Sequence, residues 1–405
     1  MGMPLQLVYA PEQPPKQFTK AIFLAGPSPR NPTHPNWRIE ALKILTAQGY
    51  DGAVFIPLTR NGTGYNYDAQ VNWETECLNL SDVIAFWVPR DMESLPGLTT
   101  NVEFGLWCNS GKAVLGYPTD AEHMRYLAYH AGLEGMPVHE TLEDTLRAAV
   151  KRIGEGATRV GGERNVPIHI WNLPHFQNWF RMQKAAGNRL DGAKLLWSFR
   201  TGPKKSFTFC FALKVDVHVA IEGRNKTNEI ILSRPDVSSV IAYRRGASYL
   251  DTEVVLVREF RSPASTMDGM IHEVPSGSSK VKEDELVVAS HELEEEAGLV
   301  VDPTRLRRIG SRQLCGTFST HQAQVYACEL TEEEMAALRQ QSQDGVMHGV
   351  VGDSEQTYVE IRKVRDLCES NDVDWSCMGM ILTTLRDSYP ASASSIVARL
   401  LGPSR

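Results

Sequence analysis

"SGSSKVKEDELVVASHELEEEAGL", residues 276–299, runs from a polar loop into an amphipathic helix. At about 100° per residue, positions 285–297 place Leu286, Ala289, Leu293 and Ala297 on one apolar stripe. Glu292, Glu295 and Glu296 fall together on an arc away from it. Gly298 supplies a helix stop, because glycine takes the left-handed backbone of a C-cap cheaply. Like charges three or four residues apart repel at roughly 0.2–0.5 kcal/mol per pair. Either this face is simply solvated, or a cation sits among the carboxylates. Hard divalent cations such as Mg²⁺ take oxygen ligands, and a triad of carboxylates on one helix face offers them.

The spacing decides between these readings. Five residues separate Gly277 from Glu283, and seven more lead to His291-Glu292-Leu293-Glu294-Glu295-Glu296-Ala297-Gly298-Leu299. The stretch closely resembles the Nudix box, GX5EX7REUXEEXGU with U aliphatic, with His291 standing where the family has Arg. The resemblance implies hydrolysis of a nucleoside diphosphate linked to another moiety, with Mg²⁺ (or Mn²⁺) as cofactor. It also implies Glu292, Glu295 and Glu296 as metal ligands, Glu296 acting in catalysis, and the Ser276 carbonyl as a backbone ligand. Glu283 would support that site. A histidine at 291 holds glutamates less firmly than arginine at pH 7.

Outside the box, RPDVSSVIAY (234–243), EVVLVREFRSP (253–263) and IHEVPSG (271–277) resemble the ADP-ribose and nucleoside-diphosphate-sugar pyrophosphatase branch. There Arg258 and Arg261 would hold phosphate through bidentate contacts, the alternative being solvated strand-edge arginines. GDSEQTYVEI (352–361) resembles the loop carrying a water-activating glutamate, which assigns that role to Glu355, with Asp353 second. An ordinary solvent contact is the alternative for either.

The N-terminal half reads differently. AIFLAG (21–26), AVFIP (53–57), VIAFWVP (83–89) and AVLGY (113–117) are strand candidates separated by amphipathic stretches near 37–48, 70–80 and 100–110. Near-continuous apolar strands alternating with helices indicate a parallel sheet covered on both faces. The polar, glycine-rich run GEGATRVGGERN (154–165) is the candidate boundary, giving domains 1–155 and 156–405. Beyond it FTFCFALKVDVHVAI, EIILS, SSVIAYRR and EVVLVREF read as strands of an antiparallel or mixed sheet. The expected fold class is thus α/β and α+β: a Rossmann-like parallel α/β sandwich, then an α/β/α sandwich of Nudix type with a mixed sheet.

FLAGPSPRN (23–31) ends a strand in a Gly26-Pro27 turn, where a ligand can approach backbone closely. NWETECLNLSDVIAFWVPRDMESLPGLTTNVEFGLWCNSGKAVLGYP (72–118) resembles the nucleoside 2-deoxyribosyltransferase family, over roughly residues 18–135. The resemblance makes Glu103 the nucleophile that attacks an anomeric carbon and releases a base. Glu74 falls where the family places an acid near the nucleobase, and Asp82 takes its aspartate position. Gly97 stands where the family often has Asp. Two plainer readings stay open: Glu103 complementing a helix dipole, and Arg30 as a surface arginine rather than a phosphate ligand. No GxGxxG follows the first strand, which argues against dinucleotide binding.

Composition sets outer limits. The chain has 405 residues, 42% hydrophobic, with a net charge of −7, which argues against general nucleic-acid binding but not against small anionic substrates. The cysteines number seven, with no CxxC pair, as in a reducing compartment without structural zinc. No signal-peptide pattern or membrane-length apolar run is present, so a cytoplasmic protein acting on a small-molecule nucleotide is expected, with no membrane partner. Both resemblances imply a homo-oligomer. Trp171, Trp179 and Trp197 read as core or interface residues, the alternative being a base-stacking face at the diphosphate site. The combined expectation is two steps on one metabolite, such as base release from NAD and cleavage of ADP-ribose. The rivals are a nucleotide sensor that binds in both pockets without turnover, and a Nudix enzyme whose first domain serves oligomerisation alone.

Overall fold

The computed structural model describes residues 5–29, 35–60, 66–278, 284–349, 355–386 and 389. The chain divides into two compact units between Arg234 and Pro235. The first begins with β1 (Gln6–Tyr9), β2 (Gln17–Phe18), β3 (Ala21–Ala25), α1 (Trp37–Ala47), β4 (Ala53–Ile56) and α2 (Tyr67–Leu80). It continues through β5 (Val83–Trp87), α3 (Leu98–Trp107), β6 (Ala113–Gly116), α4 (Arg125–Leu133), β7 (Val138–His139) and α5 (Leu142–Ile153). The strands pair in parallel in the order β1-β4-β3-β5-β6-β7.

Every residue of β3, β4, β5 and β6 is buried, as a parallel sheet covered on both faces requires. Alternation sends Phe23, Phe55 and Phe86 into one core with Trp73 of α2 and Phe104 of α3. Ile22, Val54 and Ala85 enter the opposite core with Leu45 of α1 and Leu146 of α5. Asn36, Asn66 and Thr141 cap α1, α2 and α5 with side-chain oxygens, so the helices start where the sequence supplies an acceptor.

The glycine-rich run does not leave this unit. β8 (Arg159–Val160) pairs with β2, and α6 (Ile168–Trp171) and α7 (Pro174–Ala185) follow. β9 (Arg189–Thr201), β10 (Phe207–Val219) and β11 (Arg224–Ser233) then form an antiparallel sheet in the order β11-β10-β9. Its core joins Phe176, Phe180, Leu190, Phe211, Leu213 and Val215, with Trp171 and Trp179 packed in. Asp82, at the head of β5, ties the two parts together. Its Oδ2 accepts from the Ala21 N–H at 3.0 Å and from Arg159 Nη2 at 2.6 Å, and its Oδ1 from the Ile168 N–H at 3.0 Å. The expected boundary at 155/156 therefore moves to 234/235, and the FTFCFALKVDVHVAI and EIILS strands belong to the first unit rather than to the second sheet.

The second unit runs β12 (Val237–Arg244), β13 (Glu253–Glu259), β14 (Ile271–Glu273), β15 (Ser276–Gly277), α8 (Glu285–Ala297) and β16 (Arg307–Gln313). β17 (Gln322–Glu329), α9 (Glu332–Asp344), β18 (Met347–His348), β19 (Thr357–Lys363), α10 (Val364–Glu369) and α11 (Trp375–Arg386) complete it. The sheet order is β16-β17-β12-β13-β19-β18, with β14 on β13 and β15 on β12. β12 is parallel to β17 and antiparallel to β13, so the sheet is mixed. Val240 and Ala242 face Ala289 and Leu293 of α8 and Leu338 of α9. Ile241 and Tyr243 face Leu367 of α10 and Ile381 of α11. The result is an α/β/α sandwich, and the expected fold class of both halves holds. Among the described residues no helix is long and apolar enough to cross a membrane.

Candidate active sites

In the first sheet, β4 lies on one side of β3 and β5 on the other, so the order in which strands are added reverses there. In open α/β sheets ligands bind in the crevice at the carboxyl ends of such strands. Gly26 follows β3 with φ 150°, and a Cβ there would lie 2.1 Å from the Trp87 carbonyl oxygen, so only glycine lets the turn rest against the end of β5. Arg38 of α1 fixes this turn: Nη2 donates to the Gly26 carbonyl at 2.7 Å, Nε to that of Leu24 at 3.2 Å and Nη1 to Ser28 Oγ at 3.2 Å. Pro27 packs beside Gly97, the N-cap of α3, where a Cβ would sit 3.3 Å from Pro27 Cβ. With φ 59° at Gly97, the backbone suits the glycine found there in place of the family's aspartate.

The second turn of α3 carries Glu103. It lines a cavity of about 800 Å³ together with Glu74 of α2. Burial, then the charge of Glu74, push the Glu103 carboxyl up to about 7, against a downward pull from Arg38. Burial raises the Glu74 carboxyl too, although Gln70 Nε2 donates to it at 2.9 Å. Burial lowers the Arg38 guanidinium to about 10, with Glu103 and Glu74 opposing that shift. Arg38 thus couples the turn to both carboxylates, and the sequence reading did not single it out. The signal was available, since Arg38 shares a helical stripe with Ala41 and Leu45, and a charge on an apolar stripe wants a reason.

Asp82 requires correction as a substrate contact. Its side chain and that of Arg159 are wholly buried, and its oxygens are spent on the framework. Trp197 is half exposed and lines the same cavity as Glu103. Arg30 lies outside the described residues.

In the second unit, Asp284 caps α8 by accepting from the Leu286 N–H, and Gly298 ends it at φ 63°. Glu296 is buried and accepts from the Ser276 N–H at 2.9 Å. Burial holds its carboxyl well above the usual range, reinforced by Glu292, Glu273 and Glu355. Burial and the charges of Glu295 and Glu355 raise Glu292 to about 7. A Cβ on Gly277 would fall 1.9 Å from Glu292 Oε1, so the glycine makes room for that carboxylate. Glu273, which the sequence reading left unassigned, is likewise raised to about 7, chiefly by burial. So is Glu259, in direction, for the same first reason.

Arg261 enters this acidic patch by pairing with Glu259 Oε2 at 2.8 Å and with Glu355. Its guanidinium pairs with both carboxylates while 43% of its side chain stays exposed. Arg258 is exposed, its guanidinium 5.8 Å from the Tyr358 ring centre. Strand alternation puts it on the face opposite its buried neighbour Glu259, so the two arginines do not act together. Glu295 and His291 are exposed, and among the described residues no ion pair joins His291 to the glutamates. Glu283 and Asp353 lie outside the described residues. Among those described, no three His, Cys, Asp or Glu side chains gather as a metal-holding group. The donor chemistry nevertheless fits a hard cation: the groups are oxygen donors, and burial, reinforced by the charges of neighbouring glutamates, raises the proton affinity of Glu292 and Glu296.

A search of curated proteins finds no match to the chain. Among solved structures, a crystal structure of an ADP compounds hydrolase is 14% identical, and the match covers 49% of this chain and 95% of that one, with a TM-score of 0.32. That score is too low for a shared fold to be read from it. Residues 19–121 match the family model described as nucleoside 2-deoxyribosyltransferase like. The first unit, with Gly26, Glu74 and Glu103 inside the matched span, therefore carries a nucleoside 2-deoxyribosyltransferase-like domain.

Proposed function

We propose that the chain is a nucleotide-processing enzyme with two chemistries. The first unit cleaves or transfers an N-glycosidic bond; the second hydrolyses a nucleoside diphosphate linked to another moiety, of the ADP-ribose or sugar-nucleotide kind, with Mg²⁺. The observation that carries the first is the pairing of Glu103 with Glu74 on one cavity wall. As carboxylate, Glu103 bonds to the anomeric carbon while the C–N bond breaks and the base leaves with that electron pair. Glu74, its carboxyl raised by burial, is placed to give the departing base its proton. Water or a second base then cleaves the glycosyl ester. Arg38 does not touch substrate in this scheme; it holds the turn and tempers both carboxylates.

In the second unit the raised carboxyls of Glu292 and Glu296, with Glu295, favour a divalent cation. Mg²⁺ bound there would orient the diphosphate and neutralise its developing charge. The Ser276 N–H fixes the Glu296 carboxylate, and Arg261 holds Glu355 ready to take a proton from water. Product analysis with Mg²⁺ against ADP-ribose, NAD, sugar nucleotides and dNTPs tests both halves. Diphosphate cleavage is expected to vanish in Glu296→Gln, and base release in Glu103→Gln. The unpaired exposure of His291 favours one second reading, a nucleotide sensor; tight binding without turnover on any substrate would establish it instead.

A further inference from the structure

On α3, Asn101, Gly105 and Cys108 point away from the Glu103 side of the helix and border a second cavity, of about 580 Å³, shared with α4. No residue lines both this cavity and the one that holds Glu103. Leu98, Phe104 and Leu127 give it apolar walls. Tyr126 and His130, with ring centres 4.6 Å apart, add aromatic surface. Among the described residues no carboxylate and no lysine lines it, and its one guanidinium is that of Arg90, three residues beyond β5.

Arg90 is only 5% exposed. Its Nη1 donates to the His123 carbonyl at 3.2 Å and its Nη2 to Asn101 Oδ1, both neutral acceptors, while its Nε is buried and meets none. The fold therefore leaves several guanidinium hydrogens over. Among the described residues no acid pairs with Arg90. Glu122 Oε2 is taken by the Met92 N–H at 2.6 Å, and Asp91 Oδ1 by those of Glu93 and Ser94 at 3.0 and 2.7 Å. Burial alone moves this guanidinium, downward, with no neighbouring charge opposing it. A buried cation without a counter-charge is costly, and here the fold keeps one beside an open cavity. His123, whose carbonyl faces Arg90, holds a left-handed backbone at φ 53°, uncommon outside glycine. α4 starts at Met124 without a side-chain cap, so the N–H groups of its first turn, where Tyr126 and Leu127 stand, add positive potential. One planar cation matches one planar anion. A carboxylate meets a guanidinium in plane, whereas a phosphate dianion would keep a charge that nothing here answers.

We propose that this cavity binds a small aromatic monocarboxylate, its carboxylate on Arg90 and its ring between α3 and α4. The site stands apart from the glycosidic chemistry and does not depend on it. Calorimetry on the full chain compares benzoate and nicotinate with benzamide and nicotinamide, and with phenyl phosphate. The wild type is expected to bind each acid at least tenfold more tightly than its amide. Arg90→Met is expected to abolish that difference. Because Arg90 also ties the His123 and Asn101 segments together, a second variant leaves it in place. Gly105 lines the cavity, and a Cβ there meets nothing within 4 Å, so Gly105→Leu fills the space and favours the helix. This variant is expected to keep or raise the melting temperature and to weaken acid binding at least tenfold. Glu103→Gln, in the other cavity, is expected to keep the full difference between acid and amide. Loss of the difference in Glu103→Gln would place the acid at Glu103 and overturn the proposal. Equal affinity for acid and amide, acid binding that Gly105→Leu leaves intact, or phenyl phosphate binding more tightly than benzoate overturns it as well.

Discussion

Glu103 must be ionised to attack, yet it is held where ionisation is opposed by burial and by Glu74. With its carboxyl at about 7, Glu103 should give kcat/KM for base release a rising limb through neutral pH, with the ionised nucleophile roughly tenfold scarcer at pH 6 than at full ionisation, and loss of the Glu74 proton should bring the profile down again on its alkaline side. A profile flat from pH 5.5 to 8 would count against Glu103 as nucleophile. The same shift predicts a stability effect of definite sign. The folded carboxyl titrates near 7 and the free one near 4.5, so the folded chain binds more protons between those values. Stability from this group is complete below about 4.5 and is lost as pH rises through 7. Glu103→Gln, which cannot ionise, should therefore stabilise the chain at pH 8 by on the order of 1–2 kcal/mol once solvent screening is allowed for, with no gain at pH 4.5. Urea unfolding at the two pH values reads the difference. Glu296, more deeply buried, should show the same sign in Glu296→Gln while losing diphosphate cleavage.

At the scale of elements, the contact between α8 and β15 sets where the acidic face can stand. Gly277→Ala would push the Glu292 carboxylate, the free end of a flexible side chain, out of its place, so diphosphate cleavage should fall at least tenfold while stability changes by less than about 1 kcal/mol. In a Glu292→Ala background the same substitution should leave the residual activity unmoved, and the non-additivity in a double-mutant cycle measures that displacement. α8 is also where the sequence was most legible. Its apolar stripe, acidic arc and glycine stop are local, and the structure keeps all three. The parallel strands were legible for a similar reason, because burial on both faces writes a continuous apolar run. Less could be read where the deciding partner is distant. Asp82 looks like a site aspartate until Arg159 and Ile168 arrive from about eighty residues away. Arg258 and Arg261 read as a pair along the chain, but one is an exposed residue near the end of β13, on the face opposite Glu259, and the other reaches Glu259 and Glu355. Trp197 needed the bulge at Leu196, which no local pattern announces.

At the scale of the whole chain, the glycine-rich run 154–165 has the composition of a linker and the contacts of a turn. Composition reports what a segment can tolerate; the buried Asp82–Arg159 pair reports what it must hold. Removing one partner of a buried pair leaves an uncompensated charge, commonly at about 3–5 kcal/mol. A chain ending at residue 155 would lose Arg159, the Ile168 N–H donor and the Val166–Val215 core in one cut. A chain ending at Arg234 keeps all of them, and residues 235–405 keep both cores of the mixed sheet. Fragments 1–234 and 235–405 are therefore expected to be monodisperse on gel filtration and to unfold cooperatively, with fragment 1–155 aggregating or melting without a transition. Asp82→Ala in fragment 1–234 should lower its stability by about 3–5 kcal/mol, a large share of the about 5–15 kcal/mol by which domains are commonly stable. If 1–155 instead melts as sharply and as high as 1–234, the antiparallel sheet is an appendage to the parallel one, and Trp197 loses the fixed scaffold that places it in the cavity with Glu103.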